Sequence, residues 1–135
     1  MGTFINLNNN ASYNFKAPTI DADADGKIEV VFPTHEGQAP TAGATIAVNI
    51  NRQVTTIDLG ELAAAATLNA TVSSDVERGA IIHVKALSDG TARTVTFGTG
   101  FTSPALAGTI SKTKVQSFIY DGTTFLPMGA SLQID

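Results

Sequence analysis

A chain of 135 residues, 43% of them hydrophobic, is long enough to close one core without metal or disulfide support. The lack of cysteine excludes disulfides, thiolate zinc sites and cysteine nucleophiles. A net charge of −4 with scattered Lys and Arg argues against nucleic-acid binding, and no apolar run approaches the ~20 residues of a membrane helix.

Residues 1–18 stand apart from the rest. Asn6, Asn8, Asn9, Asn10 and Asn14 are interspersed with Phe4, Ile5, Leu7, Tyr13 and Phe15, and Pro18 closes the segment. The pattern reads as an extended N-terminal arm or as an edge strand. As an arm, it offers Phe4, Tyr13 and Phe15 as contacts with another chain. Residues 1–16 lack the basic start and apolar run of a signal peptide.

Residues 19–43 read as an acidic loop, a strand and a linker. Asp21, Asp23 and Asp25, followed by Gly26, match the first half of a calcium loop, in which alternate carboxylates converge on a hard cation. Position twelve of that loop is Phe32 rather than a bidentate Glu, and a strand rather than a helix follows. Calcium at these three residues is one reading; a plain acidic turn opening the strand Lys27–Phe32 is the favoured one. Pro33–Gly43 is rich in Pro, Gly and small residues and marks the best internal boundary.

The segment 44–135 predicts a β-sandwich or barrel. Strand signals fall at Thr45–Asn51, Gln53–Leu59, Thr67–Ser73, Ala80–Leu87, Ala92–Gly98, Gly108–Ser111, Lys114–Tyr120 and Thr123–Met128, with turn residues between them. The alanine run Glu61–Thr67 is too short for a stable helix and reads as a loop with at most one helical turn. Asp89-Gly90 predicts a two-residue hairpin turn. Across it Val84 faces Val95 and Ile82 faces Phe97 on an apolar side, while Lys85 faces Thr94 and His83 faces Thr96 on a polar side. A second hairpin about Asp121-Gly122 sets Phe118 opposite Phe125 and leaves Ile119, Leu126 and Val115 on the other side. That two-sided apolar character marks Ile119 and Leu126 as candidate subunit contacts.

Catalytic signals are weak. His35-Glu36 and His83 have no metal-ligand spacing, and no nucleophile elbow is present. Gly98-Thr99-Gly100 lacks the lysine and the strand-to-helix setting of a phosphate loop. With no Trp, and only Tyr13 and Tyr120, sugar binding is poorly equipped. The expectation is a protein that is not an enzyme and needs no cofactor, calcium at Asp21–Asp25 aside. The low charge, 15% of residues, suits a chain that packs into an assembly.

Residues 56–131 resemble structural proteins and fibre modules of tailed bacteriophages. The carrying stretches are TIDLG (56–60), TLNATV (67–72), ALSDGTARTVTFGTGF (86–101) and KTKVQSFIYDGTTFLPMG (112–129). Where those modules often carry Trp after the last Asp-Gly-Thr, this chain has Phe125. The resemblance implies a jelly-roll-like β-sandwich; with the residue patterns above, the expected fold is all-β, an antiparallel, jelly-roll-like β-sandwich with an extended N-terminal arm at residues 1–18. The resemblance also implies a homotrimer on the outer surface of a virion, made in the host cytoplasm. The expected function is a capsid decoration or head-fibre-type protein, with itself and phage capsid or other virion proteins as partners. A tail or receptor-binding fibre contacting host glycans is the alternative, and a glycan-active enzyme domain the weakest reading.

Overall fold

The computed structural model of the protein describes residues 35–135, which are all-β and contain no helix. Ten strands make two mixed sheets. They are β1 (His35–Gln38), β2 (Thr45–Ile50), β3 (Val54–Leu62), β4 (Ala66–Val72), β5 (Ile81–Ser88), β6 (Thr94–Phe97), β7 (Leu106–Ala107), β8 (Thr113–Tyr120), β9 (Phe125–Pro127) and β10 (Leu132–Gln133). The larger sheet has the order β1-β3-β5-β8-β10, with β9 also on β8; the smaller has the order β2-β4-β6-β7.

From β1 to β6 the chain alternates between the sheets. Each strand therefore lies parallel to the strand two before it: β1 to β3 to β5, and β2 to β4 to β6. Parallel neighbours need a crossover, and here the crossover is a strand of the opposite sheet rather than a helix. The chain winds around its core in solenoid fashion. Antiparallel pairs close the winding: β8 on β5, β7 on β6, and the short β9 and β10 on β8.

Period-two patterning explains which side is buried. In β2, Ile46, Val48 and Ile50 are buried while Thr45, Ala47 and Asn49 are exposed. In β5, Ile82, Val84 and Ala86 point in, and in β3, Thr55, Ile57 and Leu59 do. The inward residues of both sheets form one hydrophobic cluster. Phe97, Phe101, Phe118 and Phe125 plug its closing end, with Phe118 edge-on to Phe97 at 4.7 Å and to Phe101 at 5.1 Å.

The hairpin expected at Asp89-Gly90 is an arch between sheets. Strand β5 pairs β3 and β8, and β6 pairs β4 and β7, so Val84 is not the strand partner of Val95 nor Ile82 of Phe97. Lys85 and His83 likewise do not face Thr94 and Thr96. The four apolar residues are nevertheless all buried. A hairpin would leave both apolar faces on one side of one sheet, in need of a second layer. The arch turns β6 over so that its apolar face meets that of β5. Gly90 is absent from the positive-φ glycines, so the two-residue turn is not formed. Instead the Arg93 guanidinium donates from two nitrogens to the Asp89 carboxylate, 2.8 Å each, and the Thr91 amide donates to Asp89 Oδ1.

The antiparallel pairing expected throughout is thus corrected to parallel pairing over β1–β6. The second hairpin forms with a longer turn: Tyr120 faces Phe125, and Phe118 faces Pro127. Asp121 Oδ1 accepts the amides of Thr123 and Thr124, which holds a turn through Thr124 with Gly122 at φ +99°. A slip of two residues keeps every side chain on its expected face. Strand β1 falls inside the expected Pro33–Gly43 loop. Ile110 and Ser111 form a turn rather than a strand, and the alanine run contains only a bend between β3 and β4.

The Gly98-Thr99-Gly100 stretch has a structural use. Cβ atoms at Gly98 and Gly100 would run into the Asn69 side chain and the Ala70 carbonyl. Their absence lets the chain lie against β4, where the Thr99 amide donates to Asn69 Oδ1 and the Ala70 amide to the Thr99 carbonyl.

Candidate functional site

The outward side of the larger sheet is the most distinctive surface of residues 35–135. Register places its residues in rows running across the strands. The first row is Val54, Ile81, Ile119 and Leu126, all apolar, with His35 at its β1 end. The second is Gly37, Thr56, His83 and Ser117. The third is Asp58, Lys85, Val115 and Leu132.

Side chains in these rows bond to one another. His83 Nδ1 and Ser117 Oγ are 2.8 Å apart, and His35 Nε2 lies 3.5 Å from Thr56 Oγ1. Lys85 Nζ donates to Asp58 Oδ2 at 2.9 Å. That bond and the Gly60 amide hold the Asp58 carboxyl below its ordinary pKa of 3.8. The two charges of the rows therefore cancel locally. Apolar exposure is concentrated at the β8–β10 side, where Ile119 is 39% exposed, Met128 53% and Leu132 63%.

The smaller sheet presents a different outer face. Thr45, Thr67 and Thr96 are in register, as are Asn49 and Thr71, with Ala47 beside Asn69. This face offers hydroxyls and amides without an apolar row. Three further carboxylates held by local bonds sit in connections or at residue 135. Asp89 is held below its ordinary pKa by Arg93 and the Thr91 amide, Asp121 by the Thr124 and Thr123 amides, and Asp135 by Thr113.

Of the site residues expected from sequence, Ile119 and Leu126 are brought together as direct partners across β8 and β9. Asp21, Asp23 and Asp25, and Phe4, Tyr13 and Phe15, lie outside the described residues. Val115, expected on the same side, lies there too on β8; sequence reasoning missed Val54, Ile81 and Leu132, which join this face only once β3, β5, β8 and β10 are set side by side. Among the described residues no group of three His, Asp or Glu side chains could hold a metal ion. A groove of about 420 Å³ lies along Glu36, Gln38, Asn49 and Asn51, where Gln38 Nε2 already donates to the Asn49 carbonyl.

No protein-family model matches the chain, and no curated protein or solved structure matches it.

Proposed function

We propose that the protein is a non-enzymatic structural subunit of a virion, a capsid decoration or head-fibre-type protein of a tailed bacteriophage that binds the shell as an oligomer. The observation that carries this reading is the outer face of the larger sheet. Its apolar row is uninterrupted from Val54 to Leu126, and Asp58 and Lys85, two rows away, neutralise each other. Interfaces are depleted in unpaired charge at their centre and gain from apolar burial, at ~25 cal/mol per Å² before ordering costs. The His83–Ser117 pair lies in an open row of a sheet, an unsuitable place for a reaction that must exclude water. The resemblance of residues 56–131 to phage structural and fibre modules supplies the particle. A two-sheet sandwich around one core is a compact form for a surface subunit.

The test is immunogold labelling of purified particles with antibody to this chain, followed by cryo-EM reconstruction. Label on the shell supports the reading. Label confined to the tail replaces it with a tail or receptor-binding fibre component. Absence of the chain from purified particles refutes both.

A further inference from the structure

We infer that two copies of this chain join through the outer faces of their larger sheets, about a two-fold axis running along the strands between β5 and β8. The inference rests on the reading of the protein as an assembly subunit and names the surface that assembly uses.

Register supplies the argument. An axis in that position lays each row over the same row of the second copy. Ile81 of one copy then lies over Ile119 of the other, Val54 over Leu126, and His83 over Ser117. The apolar row covers itself along its whole length, which is the self-complementarity an isologous contact requires. Charge does not oppose it. The same axis lays Asp58 over Leu132 and Lys85 over Val115; the two charges stay paired with each other at 2.9 Å, so no like charges face across these three rows. A strongly charged partner would find no free charge in them to pair with.

Size is adequate. Strand spacing and the eight-residue length of β5 give the face roughly 600 Å² in projection, against about 800 Å² of accessible area per partner in a standard interface. Met128 and Leu132, at 53% and 63% exposure, extend the apolar rim. The three-fold arrangement implied by the phage resemblance would have to join this face to a different surface of the next copy. The smaller sheet offers Thr45, Thr67, Thr96 and Asn69 there, which leaves the apolar row unmatched.

The experiment uses the full 135-residue chain in sedimentation equilibrium and light scattering. A dimer is expected, with Ile119→Asp raising its dissociation constant at least about thirtyfold. Thr96→Asp, on the smaller sheet, should leave it unchanged, and both variants should keep the wild-type circular dichroism. A monomer at hundreds of micromolar, a trimer, or a dimer indifferent to Ile119→Asp overturns the inference. The axis is tested separately in this cysteine-free chain. Within one copy Val54 and Leu126 lie three strand spacings apart, about 14 Å, but across the proposed axis they are superposed. A short bis-maleimide should therefore link copies of the Val54→Cys, Leu126→Cys double variant and neither single variant. Crosslinked dimers of either single variant overturn the axis. Binding to the shell is read in its own co-sedimentation arm. A shell-bound monomer sinks this inference alone, and a dimer found on no particle sinks only the virion reading.

Discussion

Replacing Phe118 tests the closing of the core. Phe118 is fully buried on β8 and meets Phe97 of the other sheet at 4.7 Å with rings 70° apart, and Phe101 at 5.1 Å and 64°. Truncating a buried Phe to Ala costs ~3–5 kcal/mol in lost burial and cavity. Two edge-on ring contacts, worth ~0.5–1.5 kcal/mol each, place Phe118→Ala near the upper end, at ~4–5 kcal/mol. Phe118→Leu keeps most of the volume and loses the ring geometry, for about 1–2 kcal/mol. Equilibrium urea unfolding, followed by circular dichroism at constant slope, measures both. A loss under ~2 kcal/mol for Phe118→Ala would refute the packing. A double-mutant cycle with Phe97→Leu adds a test of topology, because Phe97 and Phe118 meet only if β6 crosses to the other sheet. Coupling of about 1 kcal/mol is expected, and none would mean the arch is wrong.

Gly100→Ala should cost more than ~3 kcal/mol, since φ is +87° and the new Cβ would strike the Ala70 carbonyl; Gly122→Ala, at φ +99° with only ordinary contacts, should cost about 1 kcal/mol. Thr55→Val should stabilise by about 1 kcal/mol, because the fully buried Thr55 Oγ1 has no hydrogen-bond partner, and the same unfolding curves will show it. Asp58, Asp89, Asp121 and Asp135 all have folded pKa values below their ordinary 3.8. Their contribution is therefore complete above that value and is lost as pH falls through the lowered ones, so melting temperature should be flat in this respect above about pH 5 and drop below about pH 4. Asp89→Asn should flatten part of that acid drop in melts across the series.

Inside and outside were legible in the sequence because alternation reports burial without reporting partners. Ile82, Val84, Val95 and Phe97 are buried in the arch as they would be in a hairpin. A strand swung into the opposite sheet keeps the same period of two, so the pattern of β5 and β6 fits both arrangements. Asp89-Gly90 then misleads, since Asp-Gly favours a tight hairpin turn. What decides against it is distant: β3 and β8 occupy both edges of β5, and the Arg93 guanidinium captures Asp89. Strands β1 and β10 were invisible for another reason. HEGQ and Leu132–Gln133 carry little β-propensity and are ordered by pairing with β3 and β8.

The candidate face was legible in Val115, Ile119 and Leu126 of the β8–β9 hairpin and no further, and the reason is again register. Ile119 and Leu126 share a hairpin, so their partnership survives a turn longer by two residues; the shift moves partners along the strand but turns no side chain over. Val54 and Ile81 come from strands far apart in sequence whose parallel pairing no local turn specifies. Each taken alone is an ordinary half-exposed residue at the start of a strand, of a kind that folded surfaces carry in number. The row that joins them to Ile119 exists only because the winding from β3 to β5 and the return of β8 bring their strand ends level. Such a row serves no purpose in closing the core, whose residues lie on the opposite side of the same strands. Its continuity from Val54 through Ile81 and Ile119 to Leu126 is the observation on which the proposed contact with a second copy rests.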